Sequence, residues 1–273
     1  MFARNTESIR HHALRSACVA STALLGLSLV LSTAVAAEGA GEGDSPEDQP
    51  QARLDFRFSA PRFSIGVRGG GAFNRSEGEI YDFLTDELTL ERSDFFGPAF
   101  AADFSWRLTS WMDAVIGFEV SGSSTDSEFR DYVDEFDIPI TQNTRLTQVP
   151  LTVSLKFYPI GRGRQVGQYA WVPSAVAPYV GGGIGATWYE LRQKGEFVDF
   201  VDMAIFEDRF TSDGWAFAGH LFLGIDIKLI KSLGLVIEGR YYWADADLGG
   251  DFVGFEEIDL DGARVMAGVN WKL

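Results

Sequence analysis

The stretch Gly181-Gly182-Gly183-Ile184-Gly185-Ala186 satisfies G-x-G-x-x-A. In a dinucleotide-binding turn that spacing lets the backbone approach a pyrophosphate. The same chemistry needs a helix opening at the third position and an acidic residue about 20 positions further on. Here Thr187-Trp188-Tyr189 follows, which favours a strand over a helix. Asp199 or Asp208 would pass as the acid, but in so acidic a chain one always falls at a suitable distance. The glycines read as part of a strand, and no nucleotide cofactor is expected.

A second constellation lies near the end of the chain. Asp245, Asp247, Gly250, Asp251 and Glu256 match positions 1, 3, 6, 7 and 12 of an EF-hand calcium loop. Position 5 is Gly249, which offers no side-chain ligand, and strands rather than helices flank the segment. Calcium on Asp245, Asp247, Asp251 and Glu256 is the one metal expectation, to be tested by calorimetry on the native chain and on Asp245→Ala plus Asp247→Ala. The sole cysteine, Cys18, lies in the leader described next, so the mature chain has no disulfide, thiol catalysis or thiolate metal site.

Residues 1–37 have the form of an export signal. Arg4, Arg10 and Arg15 precede the apolar run Val19–Leu31, and Ala34-Val35-Ala36 supplies a small-x-small cleavage pattern. Loss of its three arginines and one glutamate takes the formal charge from -16 to -18, which argues against nucleic-acid binding. Residues 38–61 read as an acidic linker with little to bury, and Leu54, Phe56 and Phe58 as a short extension of the first strand or a packing element beneath it.

From residue 62 to 273 the hydrophobicity alternates with a period of two, the weak signature of transmembrane strands. Val149, Leu151, Val153, Leu155 and Phe157 share one face, opposite Pro150, Thr152, Ser154 and Lys156. Similar alternation runs near 63–73, 100–106, 114–120, 179–189, 217–227, 233–243 and 265–273, which makes eight strands. Pro98 and Pro150 lack a ladder donor and predict bulges or frayed ends. Tight turns at 109–110 and 231–232 and a longer connection at 160–175 alternate with segments of about 20 residues near 74–94, 123–142, 191–213 and 245–260. Trp106, Trp111 and Trp271 fall at one level and Trp188, Trp215 and Trp243 at the other, like aromatic girdles. A soluble β-sandwich with one wet face per sheet accounts less well for that asymmetry.

The predicted fold is all-β: an eight-stranded antiparallel transmembrane β-barrel with short periplasmic turns and long acidic outer loops. An eight-stranded interior is just wide enough for side chains to fill. Arg68, Asp103, Arg107, Asp113, Glu119, Lys156, Asp226, Lys228, Glu238, Arg240 and Arg264 point inward in this pattern, and buried charges of both signs must pair. With the last one taken to Asp261, the four long segments carry 26 acids and six bases, a surplus of 20 negative charges.

The motifs LKFYPIG (155–161), APYVGGGIGA (177–186), LGLVIEGRYYW (233–243) and the terminal MAGVNWKL resemble small outer-membrane β-barrels of the OmpA-barrel and OmpX type, from about residue 62 onward. Gly268, Trp271 and Leu273 fit the terminal pattern that the barrel-insertion machinery reads in that family, although a terminal Phe is commoner there. The resemblance implies a monomer in the bacterial outer membrane, with both ends of the barrel chain in the periplasm. Its partners would be outer-membrane lipid, lipopolysaccharide, the insertion machinery and an unknown extracellular ligand. Its role would be structural or surface-interacting, with no catalytic activity; the alternative is a narrow passive channel for small solutes. Outer-membrane acyl hydrolases place a serine two residues after their histidine, but Phe222 stands there after His220. Omptin-type proteases need an aspartate where Ala218 precedes it.

Overall fold

In the computed structural model the described residues are 57–166, 170–199 and 204–273. The expected leader and most of the expected linker, residues 1–56, lie outside them.

The alternation becomes eight long strands: β1 (Phe63–Asn74), β2 (Gly97–Arg107), β3 (Met112–Val133), β4 (Pro139–Phe157), β7 (Val176–Val198), β8 (Ile205–Lys228), β9 (Leu233–Ala246) and β11 (Gly262–Lys272). Each pairs antiparallel with its neighbours, and β11 returns to β1, so the sheet is a closed ring with no edge around most of its height. A separate hairpin, β5 (Gly163–Val166) with β6 (Ala170–Pro173), hangs in the β4–β7 connection. A two-residue strand, β10 (Ile258–Asp259), adds to the top of β9. Among the described residues no helix is long and apolar enough to cross a membrane.

Burial runs inside out. Along β4, Leu151, Val153 and Leu155 are exposed at 45%, 61% and 53%, whereas Thr152, Ser154 and Lys156 between them are buried. The same inversion holds for Phe217, Leu221 and Leu223 against Ala218, His220 and Phe222. In water this arrangement would expose apolar surface all round the ring, so the outer face is built for a non-aqueous surrounding. Strands β1, β2 and β11, with 11 or 12 residues each, rise about 26 Å when tilted 45°, the height of an outer-membrane apolar band.

Strands β3, β4, β7 and β8 run to 19–24 residues and continue well beyond that band. This corrects the expectation of long loops near 123–142 and 191–213, which are largely continued ladder, paired up to Val133↔Pro139 and Val198↔Ile205. Their acids had signalled loop, but beyond the apolar band the outward face is solvated and carries charges such as Asp126 and Glu128, while the inward face buries polar residues such as Ser127, Gln142, Thr144 and Gln193. Pro98 sits second in β2, in register with Gly71 of β1, and the ladder to β3 starts only after it, at Ala99. Pro150 produces no bulge. Pairing with β3 lapses between Phe118↔Leu151 and Ser121↔Gln148 with the register kept, because the missing N–H leaves a gap rather than an extra residue.

Candidate functional site

The chemistry-bearing side chains converge in the lumen. Arg68 is ion-paired with Asp103 and, at 2.9 Å, with Glu238. Glu238 also accepts from Arg240 at 2.8 Å and from the Tyr179 hydroxyl at 2.8 Å. Arg240 donates to the Tyr242 oxygen (3.0 Å), and Tyr242 donates onward to Glu119 (3.1 Å). Arg264, fully buried, donates to Glu119 at 3.2 Å and to the Gln148 carbonyl at 2.6 Å. The Lys156 ammonium stands 4.2 Å from the centroid of the Tyr179 ring. Strand alternation aims these residues inward from β1, β2, β3, β4, β7, β9 and β11, and each charge finds a partner of opposite sign or a π face. Of the inward set read from the sequence, Arg107 and Lys228 are instead half-buried at the turn end, the end that carries the short connections.

That end is closed by the 158–175 connection. Arg162 makes a two-pronged ion pair with Asp113 and stacks over Tyr158. Tyr158 donates to Asp226 at 3.1 Å, and Trp171 of β6 is buried, bridged to Arg57. The opposite, loop end is closed by apolar packing. A helix, α1 (Glu79–Glu87), begins after Gly78, whose positive φ of 106° suits glycine, and carries Glu79 and Asp82 in its first turn, where the helix dipole favours acids. Its Ile80, Tyr81 and Leu84 are fully buried against the wall residues Leu146, Tyr189 and Leu191. Ala216, Ala218, Ala244 and Ala246 line the same cluster, and their small side chains leave room for the helix. Asn74 couples plug to network, donating to the Phe95 carbonyl (2.8 Å) and accepting from Gln148 (3.4 Å).

The sequence reading missed both closures. It took 74–94 as an acidic loop, although Ile80, Tyr81 and Leu84 are an i, i+1, i+4 set that marks one helix face. It also passed over Arg162 and Tyr158, for which no signal beyond the turn itself exists. Tyr242 could have been placed inward, because Tyr241 and Trp243 point outward.

His220 lies 2.9 Å from the Ser154 hydroxyl, a serine that comes from β4 rather than from its own strand. Both are buried in the closed lumen, and Nδ1 of His220 has no partner among the described residues, so the orienting acid of a hydrolytic triad is missing. Gly183 and Gly185 lie where β7 runs close against β4. A Cβ on either would collide with the Val153 or Leu151 carbonyl, so close strand approach accounts for these glycines. Gly268 is placed similarly against the Val67 carbonyl, while Trp271 and Leu273 face outward at the turn end.

The four residues read as calcium ligands fall in two places. Asp245, Asp247 and Glu256 line an open cavity of about 690 Å³ at the loop end. Asp251 turns away and accepts from the Thr211 amide at 2.9 Å. Among the described residues, the three carboxylates that lie within 4.8 Å of one another are those of Asp245, Asp259 and Asp261. Burial pushes Asp259 and Asp261 above the usual carboxylate range; Asp245 adds repulsion and Arg75 opposes it. Arg75 itself is raised by its hydrogen bond to Glu77.

No protein-family model matches the chain, and no curated protein sequence matches it. Solved structures do. The chain is similar in structure to small outer-membrane barrels. Neisserial surface protein A matches at 10% identity and TM-score 0.42, covering 79% of this chain and 99% of that one. The Yersinia pestis attachment invasion locus protein Ail, in complex with a heparin analogue, matches at 11% identity and TM-score 0.40, covering 77% and 99%. Outer membrane protein W of E. coli matches at 18% identity and TM-score 0.33, covering 79% and 99%.

Proposed function

We propose that the chain is an outer-membrane barrel with a sealed lumen. Its role is structural or surface-interacting: it holds envelope integrity and presents an acidic face to the lipopolysaccharide layer or to an external partner. One observation carries the reading. The lumen's charges are satisfied by one another, and both of its mouths are covered, by α1 with its cluster at one end and by the 158–175 hairpin at the other. An ion entering would have to displace bonded partners in a low-dielectric space, a cost of several kcal/mol per charge. The inside-out burial supports placement in a membrane, and the hairpins that rise beyond the apolar band supply the outward surface.

Planar-bilayer recording on the full chain tests this. The native protein gives no sustained single-channel steps, whereas a variant lacking residues 79–95 gives short, flickering ones. Stable steps from the native protein would favour the passive-channel alternative.

A further inference from the structure

The two ends of the barrel carry opposite charge. The connections 107–112, 157–175 and 228–233 contain Arg107, Arg162, Arg164, Lys228 and Lys231 and not one carboxylate. Arg57 and Arg62 lie at the same end, because the Arg62 amide bonds to the Leu273 carbonyl where β1 begins. The carboxylates that face this end from the lumen, Asp113 and Asp226, are buried and already engaged, by Arg162 and by Tyr158 with Lys272 3.9 Å away. Arg107 has no carboxylate partner among the described residues. Its Nε donates to the Thr109 carbonyl at 3.1 Å, its guanidinium lies 5.7 Å from the Trp171 ring, and one terminal nitrogen bonds to nothing described. The Arg62 side chain is exposed.

Resting on the membrane reading above, we propose that this end docks on a layer of anionic phospholipid headgroups. Three arguments select that occupant. The cations sit on three separate turns around the ring, so a plane of phosphates reaches all of them at once while a compact ligand reaches one. The cleft among Arg62, Arg107 and Arg162 has only about 10 Å³, room for about one water, so an anion meets these side chains at the rim and not in a cavity. Each turn also sets exposed apolar residues beside its cations: Leu108 and Trp111 follow Arg107, and Leu229 and Ile230 stand between Lys228 and Lys231. Cations interleaved with aliphatic and aromatic side chains match the depth where headgroups meet acyl chains. The fit continues the apolar band directly.

The test folds the full chain into vesicles of phosphatidylcholine mixed with an equal amount of phosphatidylglycerol. Protein is then extracted with its retained lipid shell, and the two lipids are weighed by mass spectrometry. The native chain retains phosphatidylglycerol several-fold above the bulk ratio, and 1 M salt erases the enrichment because the Debye length shrinks to about 3 Å. Arg62→Gln with Arg164→Gln removes most of that enrichment and brings the shell close to the bulk ratio. Both side chains are exposed, so the variant still folds, as heat-modifiable gel migration verifies. Folded native protein with a shell at the bulk ratio, or enrichment untouched by the substitutions and by salt, overturns this proposal and leaves the membrane reading standing. Binding of soluble poly-glutamate in place of lipid enrichment also overturns it. Failure to insert into any vesicle overturns both.

Discussion

At the residue scale the controlling fact is that charge is buried only where it is answered. Arg264 is fully buried between Glu119 and Gln148. Arg264→Met would strip Glu119 of its cation and leave a carboxylate held by Tyr242 alone. The expected cost is about 3–5 kcal/mol in urea unfolding from vesicles, and Glu119→Gln in the same background returns part of it. Gly183→Val places a side chain against the Val153 carbonyl and is expected to abolish the heat-modifiable folded band. A pH effect follows at the loop end. Asp259 and Asp261 are raised above their unfolded values mainly by burial, so the folded state holds their protons more tightly than the unfolded chain. Their contribution is most favourable below the ordinary aspartate range and is lost as pH rises through the raised values. Hydrogen exchange at residues 256–261, corrected for intrinsic rate, should therefore show stronger protection in mild acid than at neutral pH. Asp245→Asn should reduce that difference by removing a nearby negative charge.

At the element scale, eight strands were legible because each one spans a hydrophobic band with alternation, strict in Leu151 to Phe157 and softened by Gly and Ala in 63–73, 100–106 and 179–189. What was not legible is how far they run. Past the band the outward residues are polar as well as the inward ones, so the hydrophobic alternation that marks a strand disappears while the ladder persists, as between Ser123 and Glu128. The inward charges were readable as a pattern, but their partners were not, because Glu119 meets Arg264 across 145 residues through closure of the ring. The helix α1 was hidden for a different reason: its nine residues hold four acids that match loop composition, and only the spacing of Ile80, Tyr81 and Leu84 betrays it. That spacing has energetic content. Leu84→Ala should cost about 2–5 kcal/mol, as burial in a packed cluster implies, and should raise hydrogen exchange across 79–95 without unfolding the barrel.

At the scale of the whole molecule the barrel is an inverted, sealed and polarised object. Its apolar residues face out and its charges face in. The acids gather at the loop end, and exposed cations such as Arg62 and Arg164 lie at the turn end. The inversion and the seal can be read together by labelling neighbouring residues of one strand. In a Cys18→Ser background, Val153→Cys and Ser154→Cys are each folded into vesicles and exposed to a water-soluble maleimide and, after spin labelling in urea before folding, to membrane-dissolved oxygen. The structure predicts that neither folded cysteine reacts with the maleimide and that the label at 153, but not at 154, collides with oxygen. Fast maleimide reaction at 154 would mean an open lumen, and an oxygen-shielded label at 153 would mean that the apolar face does not meet lipid; either result contradicts the account.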